Sequence, residues 1–326
     1  MAKSNADQPS VIHADFEKPD VLEGDLALGP SPGMLVNRAE NLKFVGESID
    51  AIGFGKFQLQ LTHTFAFGFL ADQMLLISIS LITPQVAMEF GPKYPTLLLA
   101  AQSAGLLIGA VVLGILADNL GRRLVWQVSI FGVSIMAMVM ASAPNWTALN
   151  CFLVLTGFFG GGNLAIDLTI LAESIPSNWS FVLSGLAIVW GAGNAVTGLI
   201  AWPLLVDIGC PNGSTPETCS KAENMGWRYF YITLGALCFV MALIRAFVLR
   251  TTESPRWLVA CGLQDEAVTV LNHIATMNGS DYRVEADQFI PDDGEAAKTA
   301  SFRENMQRLT RLFSGGRQIC SCHVSF

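Results

Sequence analysis

The chain has 326 residues, of which 52% are hydrophobic and 14% charged, with a formal net charge of −8. Globular domains average about a quarter charged residues, so a single soluble domain fits poorly. The acidic balance gives no reason to expect nucleic acid as a partner.

Residues 1 to 56 are polar and read as a disordered cytosolic tail with a short lead-in. No apolar run follows a basic start, so no signal peptide is expected. Six long apolar runs follow, at roughly 62–86, 95–117, 124–143, 148–171, 181–206 and 229–249. About 20 residues of helix cross the hydrocarbon, so each run meets or nearly meets that length. Strict alternation is absent, which argues against a membrane barrel. Residues 57–250 are therefore expected to be an all-α polytopic membrane domain in a lipid bilayer. Glycine clusters at Gly160–Gly162 and in WGAGNAVTG (190–198) suggest close helix packing.

Asp72 lies about ten residues into the first run, near mid-membrane by helical rise. A carboxylate there is costly and normally faces a cavity or a partner. It is a candidate proton or substrate site, and a structural hydrogen bond is the rival reading. Asp167, Asn163 and Asn194 are further candidates along the same pathway; helix-to-helix bonds are their alternative.

The second and third runs are joined by GILADNLGRR. Gly114 is expected to permit close helix contact, Asp118 to end the second helix and Gly121 to turn the chain, with Arg122 and Arg123 marking the cytosolic side. Asp118 pairing with arginines would make the loop a conformational latch. With Lys43, Lys56, Arg245, Arg250 and Arg256 on that same side, both termini are cytosolic. Arg245 is expected to snorkel to the membrane edge.

Cys210 and Cys219, in CPNGSTPETC, then fall on the opposite side, where an oxidised pair is allowed. The same loop holds the glycosylation sequon of Asn212. After the sixth run, Glu253, Ser254, Pro255 and Arg256 form TESPRW, with Ser-Pro as a helix start. Residues 251–326 are expected to form a cytosolic segment with short amphipathic helices, one over QDEAVTVLNHIATM and one over FRENMQRLTRLF, before an irregular C-terminus. Nucleophile-elbow, zinc-helix and phosphate-loop motifs are absent, so neither an enzyme nor a cofactor or metal site is expected.

The loop GILADNLGRR resembles the signature G-x-x-x-D-x-x-G-R-R of the major facilitator superfamily. TESPRWL resembles the PESPRWL segment of its sugar-porter-type members. GFGKFQ, FLADQM, GGGNLAID and SKAENMGWRYF resemble the synaptic-vesicle-glycoprotein-2-related branch and its fungal members. The resemblance covers roughly residues 48 to 313. It implies secondary active transport of a small organic solute, often by proton symport, with Asp72 and Asp167 matching acidic motif positions and Asp118, Arg122 and Arg123 the loop motif. Leu153 stands where the family often has Arg, and Ala165 where it often has Pro; Leu75 or Leu76 replaces an acidic residue, and Ser180 lies near a usual basic one.

Facilitators resemble two six-helix halves around a central site. This chain supplies one half and the central cytosolic segment, so a truncated product is expected, complete only in a longer form or through association with another half-transporter. A non-transporting, regulatory or inactive membrane fragment is the alternative, and a membrane-embedded enzyme a third. Plasma and vacuolar membranes both fit.

Overall fold

The computed structural model describes residues 32–248 and 252–291. Within them lie six helices or helix groups long and apolar enough to cross a membrane, and no strand. They are α2 (Lys56–Phe90), α3 (Leu97–Leu120), α4 (Arg122–Met140), α5 (Trp146–Ser174), a fifth span from Ser177 to Asp207, and a sixth from Gly226 to Phe247. The fifth opens as a 3-10 turn (Ser177–Trp179), steps through α6 (Phe181–Gly185) and runs on as α7 (Ala187–Asp207). The sixth is α8 (Gly226–Leu243), which loosens into a π-helical turn at Ile244–Val248.

α2 is longer than the apolar run that announces it. Its 35 residues rise about 52 Å at 1.5 Å each, well beyond a hydrocarbon core of about 30 Å. The excess is polar helix at its start. Asn278, arriving from far along the chain, holds that start: its Oδ1 accepts from Phe57 N at 3.0 Å, and its Nδ2 donates to Gly53 O at 3.0 Å and Gln58 Oε1 at 2.8 Å.

Two glycine pairs bring α3 and α5 together. A Cβ on Gly105 or Gly109 would strike the backbone carbonyls of Val154 and Phe158, and one on Gly157 or Gly161 those of Gln102 and Leu106. Each pair is four residues apart, one face of a helix, and the two faces interlock because neither carries a side chain. In the fifth span only Gly193 works in this way, against Leu70 and Gln73; Gly191 and Gly198 face open space. Gly114 also has nothing within 4 Å, so the close contact expected there is absent among the described residues.

The largest departure from the sequence reading is α1 (Pro32–Ile52), helix where a loose tail was expected. Val45, Ile49 and Ile52 fall on one face and are buried against Leu258, Val259, Leu271 and Ile274. Those partners belong to α9 (Pro255–Ala260) and α10 (Gln264–Asn278). Polar clasps complete the docking: Asn41 exchanges two hydrogen bonds with the backbone of Ile290, at 3.0 and 2.9 Å, and Asp50 accepts from Ser177 N and Oγ at 2.7 and 3.0 Å. Residues 1–31, the segment FRENMQRLTRLF and the C-terminal run lie outside the described residues.

Candidate functional site

Asp72 on α2 and Asp167 on α5 are both buried, and Asn163 joins them. Asn163 and Asp167 are one helical turn apart, so both side chains leave α5 on the face turned to α2. The Asn163 amide donates to both carboxylate oxygens of Asp72 at 3.0 Å and to Asp167 Oδ2 at 3.4 Å.

Arg245 closes the group. Sequence position suggested a snorkelling residue, but its side chain turns inward from the π-helical turn and is fully buried. Nη2 donates to Asp167 Oδ1 at 2.7 Å, and the Trp126 indole N–H of α4 donates to the same oxygen. The guanidinium lies 4.4 Å from the Trp126 ring centre and 5.7 Å from that of Phe65, within cation–π range. Gly68 leaves room for it, since a Cβ there would overlap Arg245 Nη1 and Asp167. Arg245 is thus ion-paired with Asp167 and faces two rings, while among the described residues Asp72 forms no salt bridge. With all three ionised, the cluster carries one surplus negative charge inside the span.

Beside Asp72 opens a small recess between α2, α3, α4 and α5, partly open to the outside. Its polar lining is Asp72, Gln102 and Thr156; Leu75, Leu106 and Leu164 supply much of the rest. Asn194 stands apart from this group, accepting from Gln73 Nε2 at 2.8 Å on an exposed face.

The loop residues converge at one end of the bundle. Gly121 turns the chain at φ +100°, and Arg122 starts α4 directly after it. Glu253 caps that helix, its Oε1 accepting from Arg122 N at 2.9 Å and Arg123 N at 3.2 Å. A carboxylate at a helix start satisfies orphan N–H groups and matches the dipole. The Arg122 side chain pairs with Glu173 and, at 3.7 Å, with Asp118. Ser254 Oγ donates to Glu173 Oε2 at 2.6 Å and Trp257 Nε1 to Asp118 O at 3.1 Å. Arg256 approaches Gly46 of α1, and Pro255 is the first residue of α9.

At the opposite end Cys210 and Cys219 are joined in a disulfide, and Asn212 is exposed in the loop they close. A second buried ion pair sits here: Glu89 accepts from Arg228 at 2.6 and 2.9 Å, from Trp227 Nε1 at 2.9 Å and from Asn224 at 3.1 Å. The sequence reading missed Arg245, Trp126, Gln102 and Glu89. Arg245 is an ionisable residue within an apolar run, the signal that singled out Asp72, but its place near the run's end pointed to the membrane edge instead. A Trp or Gln in such a run carries no comparable signal.

Among the described residues no group of His, Cys, Asp and Glu side chains could hold a metal ion. The profile of the Major Facilitator Superfamily matches residues 64–272. The chain is 36% identical over 278 residues to MFS siderochrome iron transporter 1 of Ceriporiopsis subvermispora, covering 83% of this chain and 53% of that protein. It is 33% identical over 280 residues to the major facilitator-type transporter hxnZ of Emericella nidulans, covering 85% and 50%. The fold is similar to the xylose transporter XylE of E. coli in a partially occluded inward-open conformation, with a TM-score of 0.53, 17% identity, and 68% and 55% of the two chains covered. The chain spans about half the length of the curated relatives it matches. Six interlocked spans, a polar core held between the first and fourth, and this profile agree: the chain is a multi-pass integral membrane protein and belongs to the Major Facilitator Superfamily.

Proposed function

We propose that this chain supplies one half of a secondary transporter that moves a small organic solute, coupled to a proton, by alternating access. The observation that carries the reading is the uncompensated Asp72 beside an open recess in mid-span, next to an Asp167–Arg245 pair that is already balanced. A buried carboxylate without a cation is costly, and taking up a proton or a cationic group relieves that cost. Asp72, Asn163 and Asp167 form the working part of the pathway; Asn194 borders it. The Asp118, Arg122, Glu173 and Glu253 network acts as the latch that holds one end of the bundle closed.

The remaining pathway wall comes from a second set of spans, in a longer form or a partner half. The second and fifth spans support this, since only 28% and 17% of their most apolar windows are buried, against 39% or more elsewhere. Both termini are assigned to the cytosol of a plasma or vacuolar membrane, with the Asn212 loop on the other side. The test is uptake of labelled sugars, organic acids and organic cations into proteoliposomes, with and without a pH gradient. The chain is assayed alone and extended by six further spans. Gradient-dependent uptake that is lost in Asp72→Asn is expected from the extended protein. Full gradient-driven uptake by Asp72→Asn would overturn the assignment.

A further inference from the structure

A second cavity, sharing no residue with the Asp72 recess, opens at the end of the bundle that carries the Glu253 cap. α1, the end of α5, the start of the fifth span and α9 line it, and its volume is about 170 Å³. A cavity of ~150 Å³ holds a benzene ring, so there is room for a small branched side chain. Ile49, Ile175, Pro176 and Leu183 supply an apolar wall. The charged lining residues are Asp50 and Arg256, and no ion pair joins them. The Arg256 guanidinium lies over Gly46, where a Cβ would meet Nη2 at 3.1 Å. Asp50 stands one helical turn further along α1, a rise of about 6 Å. Each of its carboxylate oxygens accepts one hydrogen bond from Ser177 and keeps a lone pair to offer. Among the described residues Arg256 has no salt bridge, and its buried Nε has no hydrogen-bond partner.

We infer that this cavity binds a free α-amino acid with a small branched side chain, its carboxylate on Arg256, its ammonium on Asp50 and its side chain on the apolar wall. The inference goes beyond the transport reading, because the cavity lies outside the proposed pathway. A guanidinium fork matches a carboxylate, and carboxylate lone pairs match an ammonium. An α-amino acid carries both groups on one carbon. With a hydrogen bond of about 2.8 Å at either end, it spans the single helical turn that separates Gly46 from Asp50. A plain carboxylate would pair with Arg256 and face the negative charge of Asp50. A plain amine would pair with Asp50 and face the positive charge of Arg256. A zwitterion answers both, and the leftover charge in each other case is what makes such a site discriminate. Once bound, the amino acid bridges α1 and α9 beside the start of the fifth span, so it acts on the bundle from outside the pathway.

The test is equilibrium dialysis of the 326-residue chain in phosphatidylcholine nanodiscs with three radiolabelled probes of one stem: valine, 3-methylbutanoate and 2-methylpropylammonium. Saturable binding of valine is expected, at least about tenfold tighter than that of either analogue, as one charge-assisted hydrogen bond allows. Asp50→Asn is expected to bring 3-methylbutanoate level with valine or ahead of it. Arg256→Gln is expected to do the same for 2-methylpropylammonium. Such exchanges of preference are gains that misfolding cannot produce. Asp72→Asn is expected to leave valine binding unchanged. Either analogue matching valine on the wild type, or an order of preference unmoved by both substitutions, would overturn the inference. So would the absence of binding by all three, or loss of valine binding in Asp72→Asn. None of these outcomes touches gradient-driven uptake by the extended protein, which tests the transport reading separately.

Discussion

Arg245 holds its charge inside the span through one carboxylate and two aromatic faces. Removing one partner of such a pair leaves a bare charge in a dry interior. Arg245→Met and Asp167→Asn are each expected to destabilise the fold by about 3–5 kcal/mol, and the double variant by less than their sum. Unfolding in mixed dodecylmaltoside–SDS micelles measures this, and additive effects would dissolve the pair. Asp72 was legible in the sequence because a charge about ten residues into an apolar run has nowhere to hide. Arg245 sits near the end of its run, where a long side chain ordinarily reaches water, so local position misled. The π-helical turn that re-aims it has no sequence signature, and Trp126 looks like any apolar residue until its N–H finds an acceptor.

The elements owe their arrangement to what their faces lack. The interlocked glycines of α3 and α5 make backbone the contact surface, so a single methyl group must push the helices apart. Gly161→Ala is expected to cost about 1–3 kcal/mol by overpacking. Gly114→Ala, facing open space, is expected to be neutral or to stabilise by up to about 1 kcal/mol through helix propensity. The same micelle titration compares them, and equal costs would show that propensity, not contact, governs both. The six spans could be read from run length alone, since bilayer thickness sets that length. α1 could not: the apolar partners of its buried face, in α9 and α10, lie more than 200 positions away. Its helicity comes from tertiary packing that local composition does not report.

Across the whole molecule, opposite ends of the bundle are closed by different chemistry. One end uses the Cys210–Cys219 disulfide and the buried Glu89–Arg228 pair, the other charged caps and clasps. A loop with the disulfide's sequence separation of 9 is worth about 2–3 kcal/mol by chain entropy. Dithiothreitol is expected to lower stability by that amount in the wild type and by nothing in the Cys210→Ser/Cys219→Ser variant. A reductant effect on the double variant would place the sensitivity at another cysteine.

The cap that Glu253 places on α4 has a consequence in time. It bonds to Arg122 N across 131 positions, so the start of the third span is made long before the residue that satisfies it. At about 5–20 residues per second of synthesis, that interval is on the order of ten seconds. Throughout it Arg122 and its exposed N–H groups must rely on water and headgroups at the membrane surface. The ring of contacts around them can shut only after the sixth span has been threaded, making this cap a late seal on the nascent bundle.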